Sequence, residues 1–273
     1  MLGKLIKQEW RAFWKIPAFV SLFLAIFTVF GVISLNAKIW ENDSPIIEAL
    51  AAFVLLFYYI ALIVISFVTI LYTAVRFYKN LYTDEGYLMH TLPVTQKSLI
   101  ISKLIVSYIW TIITGLVIMG SIFALLCATF SSSGADISLA ELFSKFIEEI
   151  TSPSLLAEFK DIFGIGFYHF LTVILFICII SPIYSILMIY TSISLGQLFK
   201  KHKVLGSILS YIGIYTLIQI ISSIITAPAL FSNTYSRNAL GPTIYFYLAG
   251  SIAMGIIFFF VTEFIMKKKL NLD

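Results

Sequence analysis

The chain has 273 residues, of which 60% are apolar, 16% aromatic and only 12% charged. Soluble domains carry about 25% charged residues, so this composition excludes an ordinary soluble globular protein. The formal net charge of +4 fits the anionic inner face of a membrane, with lipid as partner and no nucleic acid expected.

A helix needs about 20 apolar residues to cross a hydrocarbon core of about 30 Å. Six runs reach that length: Ile16 to Leu35, Ala49 to Val75, Leu104 to Phe130, Gly164 to Leu198, Val204 to Leu230 and Ile244 to Met266. The expected fold is all-α and polytopic, a single transmembrane domain over residues 1–273 with six transmembrane helices. The two halves show no internal repeat.

Residues 1–15 are amphipathic. Leu2, Leu5, Ile6, Trp10, Phe13 and Trp14 share one helical face, and Lys4, Lys7, Arg11 and Lys15 the other. That pattern predicts an interfacial helix lying in the inner headgroup layer. Glu9 falls on the apolar side, either salt-bridged and snorkelling or touching a partner. The first span is longer than a signal-peptide core and lacks a small-residue cleavage site, so it reads as a retained anchor. In the second span Tyr59, Ser66, Thr69 and Thr73 recur as a polar stripe.

Residues 76–103 interrupt the apolar sequence with RFYKNLYTDEGYLMHTLPVTQKSLIISK. Thr83 is placed to cap a short helix opening with Asp84 and Glu85, whose carboxylates suit the positive end of its dipole. Tyr87, Leu88 and Leu92 form an aromatic and apolar ridge, and Pro93 ends the element. Thr95 then caps the helix that runs into the third span. A short helix with an acidic end and an apolar ridge suits docking into a groove; a solvated turn is the alternative.

Gly120 and Ala124 in the third span, and Ser251 and Gly255 in the sixth, permit close helix crossing. The outer loop 131–163 places Leu139, Leu142, Phe143, Phe146, Ile147 and Ile150 at helical spacing, with Ser138 as cap and Glu141 three residues on. A second short helix is expected over Pro153 to Phe163. Pro182 is expected to kink the fourth span. In the fifth span Tyr215, Gln219, Ser222, Ser223 and Thr226 line one side as a substrate path, a dimer seam or ordinary helix packing. Cys127 and Cys178 lie in spans without metal or disulfide spacing.

Only Lys38, Lys145, Lys160 and Arg237 of the 18 cations fall in the outer loops if both termini are cytoplasmic. The positive-inside rule therefore predicts N-in and C-in. The spans are nearly free of ionisable groups. His169 lies near the outer end of the fourth and Glu263 near the inner end of the sixth, neither at the mid-depth where coupling ions bind. There is no GxxxxGK[ST] phosphate loop. The one Glu-Glu pair, Glu148-Glu149, lacks the following Arg that a membrane CAAX-type protease requires, and the histidines are scattered. The chain is thus expected to hold no metal, no cofactor and no enzymatic activity. An uncoupled channel is an alternative, though no ring of charges or filter-like carbonyl motif is apparent; otherwise energy for transport would arrive from another subunit.

The run Asp84-Glu85-Gly86-Tyr87-Leu88, then Thr91-Leu92-Pro93-Val94, then Ser102-Lys103 resembles the permease subunits of ABC-2-type (type V) ABC transporters of Gram-positive bacteria. The motif likeness covers Tyr82 to Lys103; the layout likeness covers the whole chain. The resemblance implies that 76–103 is a cytoplasmic coupling loop. Asp84, Glu85, Gly86, Tyr87, Leu88, Thr91, Leu92 and Pro93 would seat its coupling helix on a separate ATP-binding subunit that holds ATP and Mg. It also implies pairing with a second permease, export across a bacterial plasma membrane, and cargo outside the reach of motif reading. The long outer loop departs from the family's compact layout. A membrane peptide-binding, immunity or sensor protein without transport of its own is the alternative, since the acidic outer segment suits cationic peptides.

Overall fold

A computed structural model of the chain describes residues 2–35, 44–83, 86, 89, 91, 93–132, 139–231 and 240–268. Asp84, Glu85, Tyr87, Leu88 and Leu92 of the expected docking helix, and the expected cap Ser138, lie outside the described residues.

The described elements are all helices: α1 (Leu2–Phe13), α2 (Lys15–Ser34), α3 (Pro45–Tyr82), α4 (Gln96–Ser132), α5 (Leu139–Ile150), α6 (Pro153–Phe163), α7 (Phe167–Gly196), α8 (Lys203–Phe231) and α9 (Leu240–Lys268). Six of them, α2, α3, α4, α7, α8 and α9, are long and apolar enough to cross a membrane. Hydrocarbon offers no hydrogen bonds, so each spanning segment must satisfy its own backbone, which a helix does. Hydroxyls inside the spans follow the same rule. Thr28 donates to the Leu24 carbonyl, Thr69 to Ile65, Thr73 to Thr69 and Thr216 to Ile212, each one turn back.

The fourth span begins at Phe167, later than the apolar run at Gly164. The reason is local. Ser152 caps α6 by accepting the Leu155 N–H, and Gly164 ends α6 at φ 73°, its N–H donating to the Lys160 carbonyl. A left-handed residue closes one helix before the next can start, and glycine adopts it without steric cost. Phe159, Phe163, Phe167 and Phe170 then pack ring against ring across this corner, with centroids 4.3–5.3 Å apart.

The chain divides into two compact units, residues 1–75 with 105–143 and residues 76–104 with 144–273. In the first, Leu24, Tyr58, Ala61 and Ile65 form a buried cluster under Val117, Ile118 and Leu125. The Tyr58 and Ser121 hydroxyls are hydrogen-bonded at 3.0 Å. Phe13, Val106 and Trp110 form a second cluster, and Trp10 stacks on Trp110 with centroids 5.3 Å apart.

Two sequence patterns are covered unevenly by neighbouring helices. The apolar face of α1 divides: Leu5 and Phe13 are buried with Glu9 between them, whereas Leu2 and Trp14 stay exposed. The i, i+4 spacing of Leu5, Glu9 and Phe13 puts the carboxylate on the packed seam. The polar stripe of α3 also splits, with Thr69 and Thr73 buried and Tyr59 and Ser66 exposed.

In the second unit α7 is the central element, packed by α8 and α9, and it continues as a helix through Pro182. Ser251 and Gly255 are buried at the α7–α9 crossing, where a Cβ on Gly255 would lie 4.0 Å from the Tyr184 Cα. Thr191 fixes that crossing, hydrogen-bonded to the Thr262 hydroxyl at 3.0 Å. Among the described residues Gly120 has no atom within 4 Å of where its Cβ would sit, so none of them makes a close crossing there.

Candidate coupling site

α3 continues past Val75 for two further turns, to Tyr82. Phe77, Asn80, Leu81 and Tyr82 of this extension are buried. On the far side of the loop α4 buries Leu99, Ile100, Ser102 and Lys103. These two shoulders meet the last turns of α7 and α9 within the second unit.

The first shoulder is fixed by aromatic rings. Phe77 and Tyr190 are each 1% exposed and stack face to face, centroids 3.7 Å apart with planes inclined by 8°. One turn on, Tyr82 and Ser194 are hydrogen-bonded at 2.6 Å. The Ser194 hydroxyl donates to the Tyr190 carbonyl, so its oxygen accepts the proton of Tyr82.

The second shoulder is fixed by charge. Glu263 is 5% exposed and receives Lys267 from the next turn of α9 on Oε1. The Nζ of Lys97, from the first turn of α4, lies 3.8 Å from its Oε2. The two lysine side chains are 53% and 50% exposed, so one buried carboxylate is compensated by two ammonium groups that keep part of their hydration. This arrangement predicts redundancy. Lys97→Ala or Lys267→Ala alone should cost under about 1 kcal/mol, because the other cation remains. The double variant strands the carboxylate and should cost about 3 kcal/mol, far more than the sum. Thermal unfolding in detergent measures both; small additive losses would rule out the shared pairing.

Between the shoulders the described residues include Thr83, Gly86, Thr91 and Pro93. The Thr83 hydroxyl donates back to the Lys79 carbonyl, a use open to any threonine one turn from a free carbonyl; the short helix it was expected to cap opens with Asp84 and Glu85, outside the described residues. The Thr83 carbonyl accepts the Gly86 N–H at 2.7 Å. Gly86 is buried, and a Cβ there would lie 2.5 Å from both the carbon and the oxygen of the Leu81 carbonyl. The turn therefore folds onto the end of α3 as closely as a backbone without side chain permits. Thr91 and Pro93 are exposed. Thr95 caps α4 as expected, its Oγ1 accepting the Ser98 N–H at 3.3 Å.

The fifth-span stripe lies on another helix. Tyr215, Gln219, Ser222 and Ser223 are exposed on α8, and Thr226 is partly buried with its hydroxyl bonded to the Ser222 carbonyl. No residue in the most apolar window of α8 is buried, so the described residues leave this stripe uncovered.

Phe77, Tyr82, Tyr190 and Ser194 carried no sequence signal, since aromatic and hydroxyl residues recur throughout the spans. Glu263 did carry one: a lone acid near a span end with Lys267 four residues on. His169 Nε2 pairs with the Tyr245 hydroxyl at the start of α7. Among the described residues no three His, Cys, Asp or Glu side chains group as metal ligands. The chain matches no protein-family model, and neither curated proteins nor solved structures give a match.

Proposed function

We propose that this chain is the membrane permease subunit of an ATP-driven ABC exporter of the ABC-2 type, docked through residues 76–103 onto a separate ATP-binding subunit. The observation that carries the reading is the anchoring of both loop shoulders. A turn that merely joins two spans needs no such support, whereas a loop that receives force does. Phe77 and Tyr82 hand displacement to α7, and Lys97 hands it to α9 through Glu263.

In this reading both termini face the cytoplasm, and ATP and Mg belong to the partner. Closure of two ATP-binding subunits draws two such loops together. α7 and α9 move with the loop, and α8 follows α7 through their short connection. Uncovered polar side chains in hydrocarbon gain from a facing helix or a wet cavity. The stripe of Tyr215, Gln219, Ser222, Ser223 and Thr226 is accordingly the face turned to the second permease or to the cargo. The exposed Lys4, Lys7 and Arg11 of α1 serve the headgroup layer.

The test is affinity purification of the chain from its native membrane in mild detergent, with mass spectrometry of what accompanies it. The expected companion is a soluble subunit with a Walker A loop, retained by the parent chain and lost from Asp84→Lys/Glu85→Lys. Recovery of the parent chain as a stable oligomer without an ATPase would overturn the reading. It would turn attention to the outer helix α5, where Phe143, Phe146 and Ile147 are exposed beside Glu148 and Glu149 in the manner of a cationic-peptide binder.

A further inference from the structure

α7 ends at Gly196 and α8 begins at Lys203. The connection 197–202 is held tightly. The N–H groups of Gln197, Leu198 and Phe199 donate to the carbonyls of Ser194, Leu195 and Gly196 at 3.0–3.3 Å. His202 takes the left-handed conformation at φ 57°, and its carbonyl accepts the Gly206 N–H at 2.9 Å. A hairpin fixed at both ends presents its side chains in a set direction.

Those side chains are of two kinds. Leu198 and Phe199 are 42% and 47% exposed, and Lys200, Lys201 and His202 beside them are exposed as well. No acidic residue occurs between Asp161 and Glu263, so α7, the hairpin and α8 supply the lysines with no carboxylate. The depth of the hairpin follows from its neighbours. Val204, Leu205 and Ile208 are exposed and apolar, which sets the edge of the hydrocarbon within a turn of Lys203. Exposed apolar residues next to exposed cations at that depth match the two layers of a lipid, acyl chain and phosphate.

We propose that the α7–α8 hairpin is a docking site for anionic phospholipid, with Leu198 and Phe199 seated among the upper acyl carbons and Lys200 and Lys201 on lipid phosphates. The hairpin adjoins the loop shoulder at Ser194, which bonds both Tyr82 and the Gln197 N–H, but lipid docking on its exposed side chains does not depend on an ATP-binding partner.

The experiment places an environment-sensitive NBD fluorophore at Phe199→Cys in a Cys127→Ser/Cys178→Ser chain, reconstituted in phosphatidylcholine nanodiscs with increasing phosphatidylglycerol. The expected result is blue-shifted emission and protection from a neutral aqueous quencher, both growing with phosphatidylglycerol. Each of Lys200→Gln and Lys201→Gln should raise the phosphatidylglycerol fraction for half-protection about fivefold. The same label at Leu198→Cys should give the same pattern, which guards against a local effect of one substitution. Equal quenching in every lipid would overturn the proposal by showing a solvated loop. Protection that appears only when a soluble ATP-binding subunit is added would overturn it in favour of a protein dock.

Discussion

A Phe77→Ala variant is expected to lose about 3–5 kcal/mol of stability, the range for truncating a buried aromatic ring. The ring and its partner Tyr190 are both almost fully enclosed, and the ring is also 6.0 Å edge-on from Tyr82. The helices on either side are continuous, so the hole has little freedom to close. Phe77→Leu keeps most of the volume and loses the stacking, worth about 0.5–1.5 kcal/mol, and should fall between. Thermal unfolding in detergent gives the order, parent above leucine above alanine. In membranes that also hold the proposed ATP-binding partner, the alanine variant should still capture the partner but export poorly, because the docking surface survives while its link to α7 does not. An alanine variant with parental stability would mean that the stack supports nothing.

Gly196→Ala should be nearly as damaging for a different reason. An added Cβ would lie 2.0 Å from the Ser207 Oγ, 2.5 Å from its backbone nitrogen and 2.6 Å from its Cα. The hydroxyl could rotate away; the backbone could not. Overpacking of this kind costs about 1–3 kcal/mol or more, and Ser207→Gly should fail to rescue it because the obstructing atoms remain. Gly213→Ala, further along α8, is the control. Nothing lies within 4 Å of its Cβ position, and alanine gains about 1 kcal/mol of helix propensity over glycine. The yield of monodisperse protein and its unfolding temperature should separate the two glycines clearly. Equal tolerance would mean that the α7–α8 contact is not close.

The six spans were legible because the bilayer imposes a length and a composition on any helix that crosses it. The Thr95 cap was legible because a capping threonine reads only its own next turn, and so was the short helix over Pro153 to Phe163, though the three residues after it, Gly164 to Gly166, were counted into the fourth span. The backward bond from Thr83 to Lys79 was not legible, because a threonine hydroxyl can donate to a carbonyl one turn back as well as accept an N–H ahead, and sequence does not show which it makes. The uneven cover of the stripe on α3 was not legible, because helical spacing says which residues share a face but not which part of that face a neighbour covers. The contacts of the two loop shoulders were beyond reach altogether. Phe77 with Tyr190, and Lys97 with Glu263, are pairings between distant segments, fixed by tertiary packing that no local pattern encodes.

One dimension of the fold bears on where such a protein can work. α2 has 20 residues, about 30 Å of helix, while α3 has 38 and the other spans are also longer. The long helices can tilt or protrude when the bilayer changes thickness, but α2 has no surplus to give. It begins at Lys15 with Trp14 immediately before it, an anchoring pair that resists being drawn inward. Hydrophobic mismatch therefore acts first on α2, which makes the shortest of the six spans the ruler by which this chain is matched to a bilayer thickness.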